Sequence, residues 1–197
     1  MRLNAPDVFF HVYNRGVAKM NIFLCDEDYQ YFEHLLERHL SRMPQKDKQG
    51  REYCSFYGKV EIHTYCLMPN HFHFLIHQVE EGVVQQLFSR VTIAYSMYFN
   101  KKYDRRGPLF ESRYKAVMVE NDEYLTHVSR YIHLNPLGFR SWEYSSYNDY
   151  LYEPRTWLTT DFILDMFQTK KHYLAFVDDY RDKDGSVDAL PHLFGDI

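Results

Sequence analysis

Cysteine is scarce in this sequence: Cys25, Cys54 and Cys66 are the three in 197 residues. An odd number without paired metal-ligand spacing argues against a disulfide framework and predicts reduced thiols in a cytosolic protein. Long apolar runs are missing as well. None reaches membrane-spanning length and no signal-peptide core heads the chain, so a soluble, cytoplasmic protein without a membrane partner is expected. There is no internal repeat. Positive charge is not in excess either: the formal net charge is −4, where a general nucleic-acid binder is usually basic.

The distribution of charge qualifies that last point. From Asp178 to Ile197 six Asp face only Arg181 and Lys183, a local charge of −4, which leaves residues 1 to 177 formally neutral. Within that neutral body, KKYDRRGPLFESRYK (101 to 115) sets Lys101, Lys102, Arg105, Arg106, Arg113 and Lys115 against Asp104 and Glu111. This is a basic patch, and on charge alone a solvated loop explains it equally well. Aromatics are abundant at 18%, with 18 Tyr and 15 Phe. They fill cores and also make stacking platforms for unpaired bases.

Periodicity orders the chain. DVFFHVYN (7 to 14) reads as a strand, and DEDYQYFEHLLERHLSRM (26 to 43) as an amphipathic helix with Asp26 as its cap. VEIHTYCLM (60 to 68), a Pro69-Asn70 turn and HFHFLIHQ (71 to 78) read as a hairpin. A helix over 83 to 103, a strand over 114 to 120 and a helix over 121 to 135, stopped by Pro136, follow. The order β-α-β-β-α-β-α predicts an α+β, ferredoxin-like (split βαβ) antiparallel sheet with helices packed on one face. The expected division is a domain over 1–140 and a C-terminal helical or irregular extension over 141–197, packed on that domain and ending in the acidic tail.

Two constellations carry chemistry. In MPNHFHFLIHQ (68 to 78), His71, His73 and His77 share one face of a strand while Phe72 points into the core. Two imidazoles at i and i+2 can converge on a divalent metal, although a bare H-x-H pair also occurs as ordinary hydrogen-bonded sheet histidines. In the last helix, with Tyr124 at zero and about 100° per residue, His127, Tyr131 and Asn135 fall at about 300°, 340° and 20°. Leu125, Val128 and Ile132 make the adjacent apolar stripe, and His133 points away. Tyr131 by itself is more often a core aromatic with its hydroxyl satisfied, with Asn135 simply ending the helix before proline. Taken together, a metal, a tyrosine and a basic patch suit phosphodiester chemistry. A phenol with a reference pKa near ~10 attacks phosphorus only when activated, and the product conserves bond energy for rejoining.

The segments FHVYNRG (10 to 16), YCLMPNHFHFLI (65 to 76), GPLFESRYKAVMV (107 to 119), YIHLNP (131 to 136) and WEYSSYNDY (142 to 150) resemble the single-tyrosine transposases of the HUH endonuclease superfamily. Within it they are most similar to the REP-associated tyrosine transposases, relatives of the single-strand insertion-sequence transposases. The resemblance spans roughly residues 7 to 150, in the family's order. It implies His71, His73 and Asn135 as metal ligands and Tyr131 as nucleophile. It also implies magnesium or manganese as the ion, and a single-stranded DNA hairpin as substrate. The implied product is a 5′-phosphotyrosine with a free 3′-hydroxyl.

Asn14, Arg15, Arg106 and Arg113 are the implied DNA contacts, and the implied location is the cytoplasm, with the nucleoid. Relatives include monomers and homodimers. Tyr124 is a rival nucleophile on the same stripe, and His63 and His77 are further candidate ligands. Two imidazoles would also suit zinc or nickel. Two other functions remain: a hairpin-binding module without chemistry, and a metal-dependent phosphoesterase in which water attacks.

Overall fold

The alternation in HFHFLIHQ decides how the sheet is layered. Even positions of β3 (His71–Gln78) supply Phe72, Phe74 and Ile76 to one face, all fully buried, and odd positions supply the histidines to the other. β3 pairs on one side with β2 (Val60–Met68) and on the other with β1 (Val8–Arg15), which in turn pairs with β4 (Lys115–Val119). The resulting order, β2-β3-β1-β4 with every pair antiparallel, is the expected ferredoxin-like sheet. The computed structural model describes residues 5–179, so the acidic tail lies outside the described residues from 180 onward.

Helices α1 (Asp26–Leu40) and α2 (Val83–Lys102) cover the phenylalanine face. Phe32 of α1 and Phe88 of α2 approach Phe72 with ring centroids 5.5 and 5.9 Å away, and Leu36, Leu87 and Val91 are buried around them. Two details of α1 depart from expectation. Its N-cap is Cys25, without a side-chain hydrogen bond. Instead of Asp26, it is the buried Asp28 that accepts from the Leu24 amide at 2.8 Å and from Lys102 Nζ at 2.8 Å. The helix also stops at Leu40 and leaves Met43 exposed, because Pro44 disfavours helical backbone at the residue before it.

The histidine face receives α3 (Asp122–Leu134), capped by the Asn121 side chain as expected, and three short helices of the extension. These are α4 (Tyr147–Leu151), α5 (Asp161–Leu164) and α6 (Lys170–Asp178). Leu125, Val128 and Ile132 of α3 pack with Leu75, Cys66, Tyr150 and Tyr173 in a second core. His133 does point away from Tyr131, but into protein: it is fully buried, with Nε2 2.7 Å from Ser146 Oγ and Nδ1 2.9 Å from the Tyr173 hydroxyl. The extension also runs along the free edge of β2. The Leu67 amide donates to Tyr144 O at 2.8 Å, and Ser146 and Thr159 amides donate to Tyr65 O and Ile62 O at 3.0 and 2.9 Å. Edge groups that would otherwise invite another chain are thereby satisfied.

Two outcomes follow from this packing. Truncating Phe72 to alanine opens a cavity where both helices meet the sheet, and should lower stability by about 3–5 kcal/mol, read as a fall in the urea midpoint. His11 and His133 are both pushed down to about 3 by burial. Unfolded, each binds a proton near pH 6.5, so below that pH the unfolded chain holds more protons than the native one. Stability should fall as pH drops from about 6.5 toward 3, by up to about 3 kcal/mol per unit for the pair, measured by urea melts in EDTA.

Candidate active site

The hairpin turn that delivers His71 is braced from the end of β1. The Gly16 amide donates to Asn70 O at 2.9 Å, and the Ile22 and Phe23 amides donate to Pro69 O at 2.7 and 3.0 Å. Gly16 is required by this close approach: a Cβ there would meet the Met20 carbonyl oxygen at 2.2 Å. Asn70 turns its side chain back onto the strand, with Oδ1 2.6 Å from His71 Nδ1. That contact needs a proton on Nδ1, which leaves Nε2 as the lone-pair nitrogen.

His73 is oriented in the same way by a residue the sequence reading did not single out. His11 of β1 lies with Nε2 2.9 Å from His73 Nδ1, their rings stacked at 5.1 Å. His73 Nε2 is buried and has no hydrogen-bond partner in the protein. Burial pulls His71 down to about 4, assisted by the nearby Arg15 charge, and His73 further still, so both imidazoles are neutral at physiological pH. The available signal for His11 was its parity with Tyr13 and Arg15 in FHVYNRG. The pairing of β1 with β3, which brings it to His73, is a long-range fact.

Tyr131 and Asn135 arrive from α3. Asn135 keeps helical backbone (φ −55°, ψ −46°) despite the following proline, so the two side chains stay one turn apart. Asn135 Oδ1 lies 3.0 Å from His71 Nε2, which leaves its amide nitrogen to donate to the Tyr131 phenol. The Tyr131 ring stands edge-on to His73 at 5.4 Å and to His11 at 6.0 Å. Burial pushes its phenol up to about 12, against smaller downward effects of Asn135 and Arg15. The donor set fits a divalent ion. Two acceptors, His71 Nε2 and Asn135 Oδ1, face each other at 3.0 Å beside the orphaned His73 Nε2, a spacing expected between neighbouring ligands bound at about 2.1 Å.

The other sequence candidates divide. Arg15 pairs in register with His71, is half-buried, and acts electrostatically on His71, His73 and Tyr131. Arg113 is exposed at the same end of the sheet. Asn14, expected at the DNA surface, is instead buried: its amide donates to Ser112 O and Arg113 O at 3.0 and 2.9 Å, so it fixes the loop that carries Arg113. Arg106 is exposed on the loop after α2.

The basic stretch is broken up, because Lys102 binds Glu27 and Asp28 while Arg105 binds Asn100 and the Pro108 carbonyl. Tyr124 lines a separate cavity of about 280 Å³ with His11 and Val128. His127 pairs with Arg130 at 2.7 Å and meets the Phe176 ring rather than joining the cluster. His63 and His77 lie at the other end of the strands. No helix among the described residues is long and apolar enough to cross a membrane.

Comparison with known proteins bears on the family and the fold. None of the curated proteins matches the chain. A solved structure described as a REP-associated tyrosine transposase bound to a REP hairpin shares the fold, with a TM-score of 0.54 at 16% identity. The match covers 77% of this chain and 83% of that one. The family model described as Transposase IS200 like matches residues 26–135, more than half of the sequence and including the hairpin histidines, Tyr131 and Asn135. The resemblance carried by the motifs therefore holds, and the chain belongs to the IS200-like transposase family.

Proposed function

We propose that this transposase-family protein cleaves and rejoins single-stranded DNA beside a hairpin, through a 5′-phosphotyrosine on Tyr131. The observation that carries the reading is the Asn135 carboxamide, which reaches the Tyr131 phenol on one side and His71 Nε2 on the other, next to His73. His71, His73 and Asn135 would hold magnesium or manganese. Such an ion, when bound, supplies charge stabilisation on the oxygens of the scissile phosphate.

The remaining work falls to the chain. Tyr131 gives up its phenolic proton, and its oxygen bonds to phosphorus as the P–O3′ bond breaks. The departing 3′ oxygen takes up a proton and becomes a free hydroxyl. Attack by a 3′-hydroxyl on the phosphotyrosine reverses the step and rejoins the strand. Arg15 is charged and adjacent, suited to a phosphate oxygen and to the phenolate. Asn14 holds the Arg113 loop against the same strand end. The hairpin preference is supported by the REP hairpin bound to the structural neighbour.

The test is covalent trapping with end-labelled hairpin DNA and manganese on a denaturing gel. Wild type should give a protein–DNA adduct that Tyr131→Phe abolishes, whereas Tyr124→Phe retains it. Cleavage persisting in Tyr131→Phe would instead establish attack by water, and binding of hairpins from a varied library without adduct or cleavage would establish a recognition module. Arg15→Ala should reduce adduct formation roughly 10–100-fold, as expected for loss of one charge-assisted phosphate contact.

A further inference from the structure

Some four residues beyond His73, roughly 13 Å along β3, a second set of ligand-type side chains converges on the same face of the sheet. Strand alternation puts Glu61 and His63 of β2 on the same side as His77, which pairs in register with Glu61, and the register shifts only past that pair, between Ile62 and Thr64. One ligand atom from each of Glu61, His63 and His77 lies within 4.8 Å of the others. This is the one group of three or more histidine, cysteine or carboxylate ligands found so disposed among the described residues.

The orientation of each imidazole is what distinguishes the group from ordinary sheet histidines. His63 Nδ1 lies 2.8 Å from the Thr159 carbonyl oxygen, so Nδ1 carries the hydrogen and Nε2 the lone pair. That Nε2 is in a fully buried side chain, has no hydrogen-bond partner, and faces Glu61 Oε2 at 3.9 Å. His77 Nε2 lies 2.8 Å from Asp7 Oδ1, while its Nδ1 faces Glu61 Oε2 at 3.2 Å. Both ring nitrogens of His77 thus face carboxylates, and of the two it is Nδ1 that points with His63 Nε2 toward Glu61. A carbonyl behind one imidazole and a carboxylate behind the other is the arrangement that fixes ligand tautomers around a metal. Phe9, stacked on His77 at 4.5 Å, and Phe162 of α5, 5.2 Å from His63, flank the imidazoles.

We infer that Glu61, His63 and His77 form a second, structural metal site for a divalent transition ion. The donor set of two imidazoles and one carboxylate suits zinc, cobalt or nickel. Its ligands lie on β2 and β3, with outer contacts from Asp7 before β1 and Thr159 before α5. An ion there ties the C-terminal extension to the sheet, away from Tyr131. It also gives the protein two ion sites, so zinc recovered in a preparation does not by itself identify the ion at the first.

The test uses zinc alone as probe, on full-length protein stripped with EDTA. To silence the first site, titrations use His71→Ala, with Asn135→Ala as the second background. One equivalent of zinc should still bind in calorimetry, and at a hundredfold excess over Kd the Tm should rise by roughly 5–10 °C. Glu61→Gln and His77→Gln, each checked for unchanged far-UV circular dichroism without metal, should lose both the heat and the Tm shift in the silenced backgrounds, and should retain adduct formation in manganese when made in the otherwise wild-type chain. Two results would overturn the proposal. One is absence of zinc binding in both silenced backgrounds; the other is binding that survives Glu61→Gln and His77→Gln unaltered. Failure of the adduct assay in wild type would bear on Tyr131 alone and leave this reading standing.

Discussion

The register of β3 is the constraint on which the rest of the molecule depends. Because side chains in a strand alternate, one choice of pairing sends Phe72, Phe74 and Ile76 into the layer with α1 and α2 and sends His71, His73 and His77 to the opposite face. A slip of one residue would bury imidazoles among phenylalanines and expose the aromatic core, so hydrophobic burial itself fixes the geometry of the ligands. The same register aligns Arg15 with His71 and Tyr13 with His73. The site is therefore positioned by the most heavily packed part of the protein, not by a loop.

Burial also sets the chemistry. A solvent-exposed imidazole would compete for protons near pH 6.5, but desolvation holds His71 near 4 and His73 lower, so their lone pairs stay available at neutral pH. Desolvation has an opposing effect on Tyr131, whose phenol it pushes up to about 12. One buried environment thus keeps the imidazole lone pairs unprotonated and disfavours the ionised form of the phenol.

Much of this was legible in the sequence, for identifiable reasons. The strands and helices follow from period-two and 3.6-residue patterns, and Tyr131 with Asn135 follows from helical geometry that survives Pro136. Residues whose role depends on contacts distant in the chain were not legible. His11 meets His73 across 62 positions, and His133 meets the extension through Ser146 and Tyr173. Asn14 was read as a DNA contact by its place in the FHVYNRG motif, yet alternation places it on the face opposite Arg15, where its amide is consumed by the 112–113 backbone. Met43 fits the apolar stripe of α1, but Pro44 ends the helix before it.

The extension shows why the histidine face needs a covering that stops short of the active end. Ser145, Ser146 and Thr159 satisfy the β2 edge and its neighbourhood, and α6 buries His133 from behind. Covering the whole face would also have closed over His71 and Arg15, which remain partly accessible. The chain resolves this by docking the extension on the β2 side and on the back of α3, so that α3 is held rigidly while its Tyr131 edge still looks onto the open end of the sheet. A helix fixed from behind can present a phenol to a phosphate with little loss of orientation. The sealing of an edge strand and the support of α3 from behind are thus provided by one segment.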